Sequence, residues 1–250
     1  MKLNHRLEGP AGAPVVVLSH SLGNHLSMWE PQLAALAEGR RVLCYDHRGH
    51  GGSPRPPGPY SVEAIARDAL ALLDGLGVES FTFCGISLGG LVGQWLGLHA
   101  GGRLERLVLA STAARIGTDE LWNARLEAVR AGGMGAVVDA AIERSFTPGF
   151  RARAPEAVER LRATILANAP EAYMAAIAAV RDFDAREEVG GIRVPTLVVS
   201  ATGDVSTPPA DGHFLADRIP GARYREVDAA HLSNLEAPEA FNAALLDFLG

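Results

Sequence analysis

A serine framed by two glycines is the first residue whose position in this sequence suggests chemistry. Ser87 lies in Gly85-Ile86-Ser87-Leu88-Gly89, between a β-rich run and an apolar run typical of a helix. Such a G-x-S-x-G pattern can form a sharp strand-to-helix turn, which needs glycines because neighbouring backbone comes too close for side chains. The same pattern can also be a simple turn in a chain with 28 glycines. Ser87 is therefore a candidate nucleophile that needs support from the rest of the chain.

A histidine and an aspartate further along the chain could act with this serine. Asp204 follows the strand-like run at 196–200, and His231 follows a weaker run at 222–227. Ligands of open α/β sheets bind beyond the carboxyl ends of the strands, so residues after different strands can meet there. The chain order Ser, Asp, His is also the order of hydrolases with this serine turn. We expect Ser87 to be the nucleophile, His231 the base and Asp204 the acid that orients the imidazole.

Two other aspartates compete for the role of the orienting acid. Asp211 lies inside the next predicted helix, and Asp228 lies too close to His231 along one loop to approach from a neighbouring strand. Asp204 is therefore preferred. The histidines that lie in or near turns, or within a helix, are less suitable as the base: His47, His50, His99 and His213.

Backbone N–H groups near Ser87 are expected to stabilise a developing oxyanion. Leu88 begins the helix after Ser87, so its N–H is free at a helix N-terminus. The loop at 20–23 follows the first apolar strand and should reach the same edge of the sheet. Its best donor is the N–H of Leu22. The alternative is that this loop is only a turn.

The elements that would position these residues alternate along the chain. Short, continuous, β-branched runs are typical of strands covered on both faces, and longer helical stretches separate them. This alternation predicts an α/β fold with a mostly parallel central sheet flanked by helices. The predicted strands lie at 15–18, 41–45, 81–84, 107–110, 196–200 and 222–227, and the predicted helices at 61–76, 88–100, 209–217 and 237–249.

The alternation stops between about residues 112 and 190. This segment has no β-rich run and is rich in alanine and arginine with helical spacing. Because a segment of this length is too long for a simple connection, we expect a helical cap over one edge of the sheet. The predicted organisation is a core of residues 1–111 and 191–250 with a cap at 112–190.

Composition excludes several classes of protein. A net charge of −6 without clustered cations argues against nucleic-acid binding. The N-terminus has no apolar region typical of a secretory signal, and no apolar run approaches the roughly 20 residues of a membrane span. We therefore expect a cytoplasmic protein with no membrane or nucleic-acid partner. The sequence leaves the oligomeric state open.

The cysteines and histidines do not suggest a metal site. None of the eight histidines falls in an H-E-x-x-H or C-x-x-C arrangement, so we expect neither metal nor cofactor. Cys44 and Cys84 lie in strands that should flank the first apolar strand. Two strand spacings separate them by roughly 9–10 Å, and a disulfide needs Cα atoms within about 7 Å. We expect free thiols.

Several sequence blocks resemble the α/β-hydrolase superfamily, and the match extends over nearly the whole chain. These blocks are DHRGHGGS at 46–53, GISLGG at 85–90 and AHLSNLEAPEAF at 230–241. Other stretches, such as RSFTPGF at 144–150 and TPPADG at 207–212, resemble the β-ketoadipate enol-lactone hydrolases of bacterial aromatic degradation. That resemblance implies an α/β-hydrolase fold with a helical cap and the opening of 3-oxoadipate enol-lactone to 3-oxoadipate. In the 46–53 block, Arg48 is expected to have a structural role.

The resemblance also implies a small, planar, anionic substrate. Binding a free carboxylate needs a cation, preferably an arginine fork. The cap offers Arg125, Arg144 and Arg181, and Trp122 could cover a flat ring. Trp122 and Arg125, one helical turn apart, are the preferred pair. The alternative is that these arginines are simply solvated.

Other functions remain compatible with the sequence. A different hydrolase could use the same three residues: a carboxylesterase, a carbon–carbon bond hydrolase of meta-cleavage products, or a cofactor-free perhydrolase. A haloalkane dehalogenase is disfavoured because its nucleophile is an aspartate, whereas position 87 is a serine. A non-catalytic binding protein with this fold is a further alternative.

Overall fold

A seven-stranded sheet forms the centre of the protein, which a computed structural model describes over all 250 residues. The strands follow the order β1-β3-β2-β4-β5-β6-β7 across the sheet, and only β1 is antiparallel to its neighbour. The prediction of a mostly parallel α/β fold is confirmed. The strands are β1 (His5–Glu8), β2 (Val15–Ser19), β3 (Arg41–Tyr45), β4 (Phe81–Ile86), β5 (Leu104–Ala110), β6 (Thr196–Ala201) and β7 (Arg223–Val227).

Eleven helices cover the sheet or lie in a long insertion between β5 and β6. Helix α3 packs on β4 and β5, α9 packs on β6, and α1 packs on β3. Cover on both faces explains why the central strands are continuous apolar runs rather than alternating ones. The helices are α1 (Glu30–Leu36), α2 (Val62–Gly75), α3 (Leu88–His99), α4 (Asp119–Gly132), α5 (Val138–Ser145), α6 (Pro148–Arg153), α7 (Pro155–Leu166), α8 (Pro170–Arg181), α9 (Pro209–Arg218), α10 (Ser233–Glu236) and α11 (Pro238–Leu249).

The first strand is a part of the sheet that the sequence pattern does not predict. β1 has the sequence HRLE, and its residues are half-buried or exposed at the edge of the sheet. It pairs antiparallel with β3 through a register in which His5 faces Tyr45 and Glu8 faces Val42. An edge strand with so little buried surface needs no apolar run, so it leaves no periodic signal.

The helical insertion, α4 to α8, occupies most of the segment in which no strand is predicted. Thr118 caps α4 by accepting a hydrogen bond from the Leu121 N–H, and Thr147 caps α6 by accepting one from the Phe150 N–H. Prolines begin α6, α7 and α8, where a missing N–H has no cost. Helix α8 is buried along most of its length and packs against α4.

The two cysteines are free, as predicted from the strand order. β2 lies between β3 and β4, and its residue Leu18 is the register partner of both Cys44 and Cys84. Both thiols are buried, and neither forms a disulfide. Burial raises the pKa of the Cys44 thiol to about 12 and raises the pKa of Cys84 as well. Both cysteines therefore act as small apolar residues of the core.

No single helix has both the length and the apolar composition to cross a membrane, although α7 and α8, bent by 97° at their junction, meet the criterion as a pair.

Glycines on one face of α3 allow this helix to lie directly against the sheet. A Cβ at Gly89 would be 2.2 Å from the carbonyl oxygen of Ser19, which is backbone and cannot move aside. A Cβ at Gly93 would be 3.1 Å from side chains of β5. A Cβ at Gly97 would be 3.1 Å from the side chain of Ile192, in the segment before β6. These three glycines are spaced by four residues and so share one face of the helix.

We expect Gly89→Ala to destabilise the protein by about 2 kcal/mol or more, because the added methyl forces α3 away from β2. Urea unfolding monitored by circular dichroism measures this change. Gly75→Ala is the matched control, since Gly75 ends helix α2 and a Cβ there meets nothing within 4 Å. The control should be neutral or stabilising by up to about 1 kcal/mol. Equal stabilities of the two variants would contradict the close approach.

Candidate active site

Ser87 stands on a strained turn between β4 and α3. Its backbone has φ 57° and ψ −114°, in a region that non-glycine residues rarely adopt. A Cβ at Gly85 would be 2.0 Å from the carbonyl oxygen of Gly89, so glycine is required there. The Ser87 N–H donates to the Ala110 carbonyl at 3.1 Å, which fixes the turn to the end of β5. Ser87 lines a cavity at this edge of the sheet.

The structure brings Asp204 and His231 together beyond the ends of β6 and β7. Nδ1 of His231 lies 2.7 Å from Oδ2 of Asp204. The carboxylate also accepts hydrogen bonds from the Ser206 N–H at 2.8 Å, the Thr207 N–H at 3.0 Å and the Thr207 hydroxyl at 2.7 Å. Burial acts to raise the pKa of Asp204, but the charge of His231 and these hydrogen bonds outweigh it and leave the pKa lowered. Asp204 is therefore a buried, ionised acceptor.

His231 and Ser87 line the same cavity. The hydrogen bonds of the imidazole go to Asp204 and, at 3.5 Å, to the Thr207 hydroxyl, and none goes to the Ser87 hydroxyl. In enzymes without bound substrate, the hydrogen bond between a catalytic base and its nucleophile is commonly long or poorly aligned, and it shortens when the substrate binds. With Nδ1 held by Asp204, the other ring nitrogen is the one available to a group in the cavity.

The N–H groups of Leu22 and Leu88 are free donors. Leu88 is the first residue of α3, and Leu22 lies in the loop after β2; neither N–H donates a hydrogen bond within the protein. Leu22 and Ser87 both line the cavity. A pair of free N–H groups beside a serine is the arrangement that stabilises an oxyanion.

The loop that carries Leu22 is fixed from two sides at the next residue, Gly23. The Gly23 N–H donates to Nε2 of His50 at 3.1 Å, and the Gly23 carbonyl accepts from the Asn168 side chain at 2.9 Å. His50 belongs to the core, whereas Asn168 belongs to the helical insertion. The position of the loop beside Leu22 is thus set jointly by both parts of the chain.

A buried cluster of three histidines lies beneath this loop, and the spacing of these residues in the sequence does not indicate it. His20, His47 and His50 have ring nitrogens within 4.8 Å of one another, and the rings of His20 and His47 stack at 3.9 Å. Burial, followed by the charges of neighbouring histidines, lowers the pKa of His20 and of His47. Burial likewise lowers the pKa of His50, to about 4. All three rings are therefore neutral at pH 7.

This cluster is not suited to hold a metal ion. Nε2 of His20 accepts the His47 N–H at 2.9 Å, and Nε2 of His50 accepts the Gly23 N–H. Nδ1 of His20 and Nδ1 of His50 lie 2.8 Å and 3.1 Å from backbone carbonyls, to which they donate. Only Nδ1 of His47 lacks a partner. Because a metal needs free lone pairs on its ligands, the cluster fits a structural role.

Asp211 and Asp228, the two alternatives to Asp204, do not contact His231. Asp211 is half-buried, and burial together with the nearby charge of Asp204 raises its pKa. Asp228 is exposed and accepts a hydrogen bond from Thr202, so neither aspartate contacts His231.

Arg48 forms a salt bridge of 2.6 Å with Asp68 of α2, in agreement with its predicted structural role.

Of the predicted substrate-binding residues, Trp122 and Arg125 lie together on α4 and line the cavity. Nε1 of Trp122 donates to the Ile116 carbonyl at 2.6 Å, and the Arg125 guanidinium lies 5.0 Å from the centre of the indole. Arg144 lines the same cavity. Arg181 does not line it and instead pairs with Asp182.

The cavity has a volume of about 380 Å³ and a clear charge character. Thirteen of its 23 lining residues are hydrophobic, and none is an aspartate or a glutamate. Its charged residues are Arg125 and Arg144, and neither forms a salt bridge in the structure. A small anion with an apolar body fits such a cavity, because the arginines have no carboxylate that already neutralises them.

Comparisons with known proteins agree with this architecture. Residues 14–238 match the model of the alpha/beta hydrolase fold family. The chain is a member of this family. It is 41% identical over 243 residues to 3-oxoadipate enol-lactonase 2 of Acinetobacter baylyi, with 97% of this chain and 91% of the relative covered. The crystal structure of the enol-lactonase from Burkholderia xenovorans superposes with a TM-score of 0.97 at 44% identity, covering 99% of this chain and 96% of that one.

A second group of relatives has a different named activity. The chain is 35% identical over 245 residues to the putative carbamate hydrolase RutD of Azorhizobium caulinodans, with 96% of this chain and 92% of the relative covered. The resemblance to the enol-lactone hydrolases seen in the sequence is confirmed, and hydrolase activity is supported for this member of the family.

The buried histidine cluster should make stability depend on pH. Between the unfolded pKa of 6.5 and the folded pKa of about 4, His50 binds a proton only in the unfolded state. Stability therefore falls as the pH falls through this window, by about 3 kcal/mol for this residue. His50→Gln keeps an acceptor for the Gly23 N–H but does not titrate, so its stability should fall less.

Urea unfolding at a series of pH values between 7 and 4 measures this difference. His213→Gln is the matched control, because His213 is exposed and lies outside the cluster. The same loss of stability in wild type and His50→Gln would show that His50 is not held neutral.

Proposed function

We propose that this protein is a serine hydrolase that opens a small anionic enol-lactone, 3-oxoadipate enol-lactone, to 3-oxoadipate in the breakdown of aromatic compounds. The observation that carries the proposal is the set of residues that line one cavity: Ser87, His231 bound to Asp204, and two arginines that form no salt bridge. The similarity to 3-oxoadipate enol-lactonases supports the choice of substrate.

In the first half of the reaction, Ser87 attacks the carbonyl carbon of the lactone. His231 accepts the hydroxyl proton, and Asp204 holds the imidazole in the tautomer whose Nε2 can accept it. The tetrahedral oxyanion accepts hydrogen bonds from the Leu22 and Leu88 N–H groups, each worth about a hundredfold or more in turnover. The ring C–O bond then breaks, and the enolate takes the proton from His231 and becomes a ketone, which leaves His231 neutral for the second half.

In the second half, water releases the product from the serine. His231 removes a proton from a water molecule, which attacks the acyl carbon of the ester on Ser87. The same N–H groups stabilise the second oxyanion, and its collapse returns the proton to the serine oxygen. The chemistry uses only side chains and backbone of this chain, so it needs no metal or cofactor.

The free carboxylate of the lactone is assigned to Arg125, with Trp122 along the apolar part of the substrate. Arg125 is half-buried above the indole and has no salt-bridge partner, so a carboxylate can meet its guanidinium without displacing an acidic residue. Arg144 adds a second positive charge to the same cavity.

Carbamate hydrolysis is a second candidate, favoured by the similarity to the putative carbamate hydrolase. A small carbamate is also anionic and would meet the same arginines and the same serine. Turnover measured side by side on the enol-lactone, a carbamate, a dienoate diketone and a simple aryl ester separates these activities. The proposal requires the enol-lactone to have the highest kcat/KM.

Ser87→Ala should lower turnover of the enol-lactone by about four orders of magnitude or more, because no other group can form the acyl-enzyme. Loss of the ultraviolet absorbance of the freshly generated lactone measures the rate. A fluorophosphonate should label wild type at Ser87 and leave the variant unlabelled. Ser80→Ala, at an exposed serine, is the control. Full activity of Ser87→Ala would contradict the mechanism.

Arg125→Gln should raise KM for the enol-lactone by about 10- to 100-fold, because a charge-assisted hydrogen bond to the carboxylate is lost. Hydrolysis of a neutral aryl ester should change little. Arg181→Gln removes a cap arginine that pairs with Asp182 outside the cavity, and it should leave both substrates unaffected. If Arg125→Gln lowered both activities equally, Arg125 would have a role other than carboxylate binding.

A further inference from the structure

Glu236 is a buried carboxylate without a cationic partner, five residues after His231. Its residue is 7% exposed, and it forms no salt bridge. It ends the short helix α10 and belongs to the sequence block at 230–241 that resembles the α/β-hydrolase superfamily. A buried charge is costly unless hydrogen bonds compensate it, so the groups that surround this carboxylate must be held closely to it.

The hydrogen bonds to Glu236 come from two different parts of the chain. Oε2 accepts the N–H of Ala230, the residue before His231, at 3.0 Å. The same oxygen accepts the N–H of Thr147 at 3.0 Å, and Oε1 accepts the Thr147 hydroxyl. Thr147 lies between α5 and α6 of the helical insertion. One carboxylate therefore joins the histidine loop to the insertion.

Adjacent backbone bonds strengthen this junction. The His231 N–H donates to the Arg144 carbonyl at 3.4 Å, and the Leu232 N–H donates to the Ser145 carbonyl at 3.1 Å. Three consecutive N–H groups, from Ala230 to Leu232, are thus bound to Glu236 or to the end of α5. Of these acceptors, the Glu236 carboxylate is a side-chain group and the other two are backbone carbonyls. A substitution of Glu236 therefore removes one acceptor without altering the backbone.

We propose that Glu236 is a positioning residue, which holds the loop of His231 against the helical insertion so that the imidazole can reach both Asp204 and Ser87. Glu236 does not contact the cavity and acts through Ala230. The inference rests on the proposed serine mechanism. The position of the imidazole affects the rate because a displacement of about 1 Å in a catalytic group can lower turnover by about a hundredfold.

The test compares Glu236→Gln and Glu236→Ala with wild type on p-nitrophenyl acetate. We expect kcat to fall by about 10- to 100-fold while KM changes by less than about twofold, because the imidazole moves and the cavity does not. Phosphonylation of Ser87 by a fluorophosphonate should slow by the same factor per folded molecule. Glu239→Gln, at an exposed glutamate three residues further on, is the matched control and should behave as wild type.

A spectroscopic measurement makes the test independent of the substrate. The proton that His231 Nδ1 shares with Asp204 should give a downfield proton NMR signal in wild type and in Glu239→Gln, and this signal should shift or broaden in Glu236→Gln. A wild type that hydrolyses the aryl ester but not the enol-lactone refutes the proposed substrate and leaves the Glu236 comparison valid. An unchanged kcat and an unchanged signal in folded Glu236→Gln, or an effect confined to KM, overturns the inference.

Thr147 offers a milder pair of variants if both Glu236 variants fail to fold. Thr147→Val removes the hydroxyl that donates to Glu236, whereas Thr147→Ser keeps it. We expect a lower kcat and a slower phosphonylation in Thr147→Val, with recovery in Thr147→Ser. Equal rates in the two variants would overturn the inference.

Discussion

Helix α3 and strand β2 meet through backbone alone at Gly89, where no side chain fits between the helix and the Ser19 carbonyl. This contact has consequences for every residue at the edge of the sheet. It draws the N-terminus of α3 against the start of the loop that carries Leu22, so two unpaired N–H groups from distant parts of the chain lie near one serine. It also forces the chain to turn sharply after β4, and Ser87 adopts its strained backbone because the turn leaves no alternative.

The charged residues that line the cavity have the opposite sign to the net charge of the chain. The protein carries a net charge of −6, yet the cavity is lined by two arginines and by no acidic residue. Of the three histidines beneath the Leu22 loop, His20 and His50 accept backbone N–H groups, and all three stay neutral because burial disfavours their charged forms. The loop is therefore fixed by polar groups that add no charge next to the place where an oxyanion would form.

The sequence predicts the central sheet well because each buried strand is a continuous apolar run. It also predicts which residues follow the strands, and the structure brings Ser87, Asp204 and His231 to one edge. The edge strand β1 is not predicted, since a half-exposed strand has no such run. The histidine cluster and the contacts of Glu236 are not predicted either, because most of their partners are backbone groups of other loops, which leave no pattern in the sequence. Similarly, spacing alone could not separate Arg144 in the cavity from Arg181 outside it, since helix packing decides that difference.

The helical insertion is tied to both loops that flank Ser87. Asn168 holds the Gly23 carbonyl on one side, and Thr147, through Glu236, holds the residue before His231 on the other. Moving the insertion away as a rigid body would break these bonds and leave the buried Glu236 carboxylate with the Ala230 N–H but without its two donors from Thr147, which is costly. Helix α4 differs from these segments, because it lines the cavity through Leu121, Trp122 and Arg125 but forms no hydrogen bond to either loop. The helix that supplies Arg125 is therefore separate from the contacts that hold the groups around Ser87 in place.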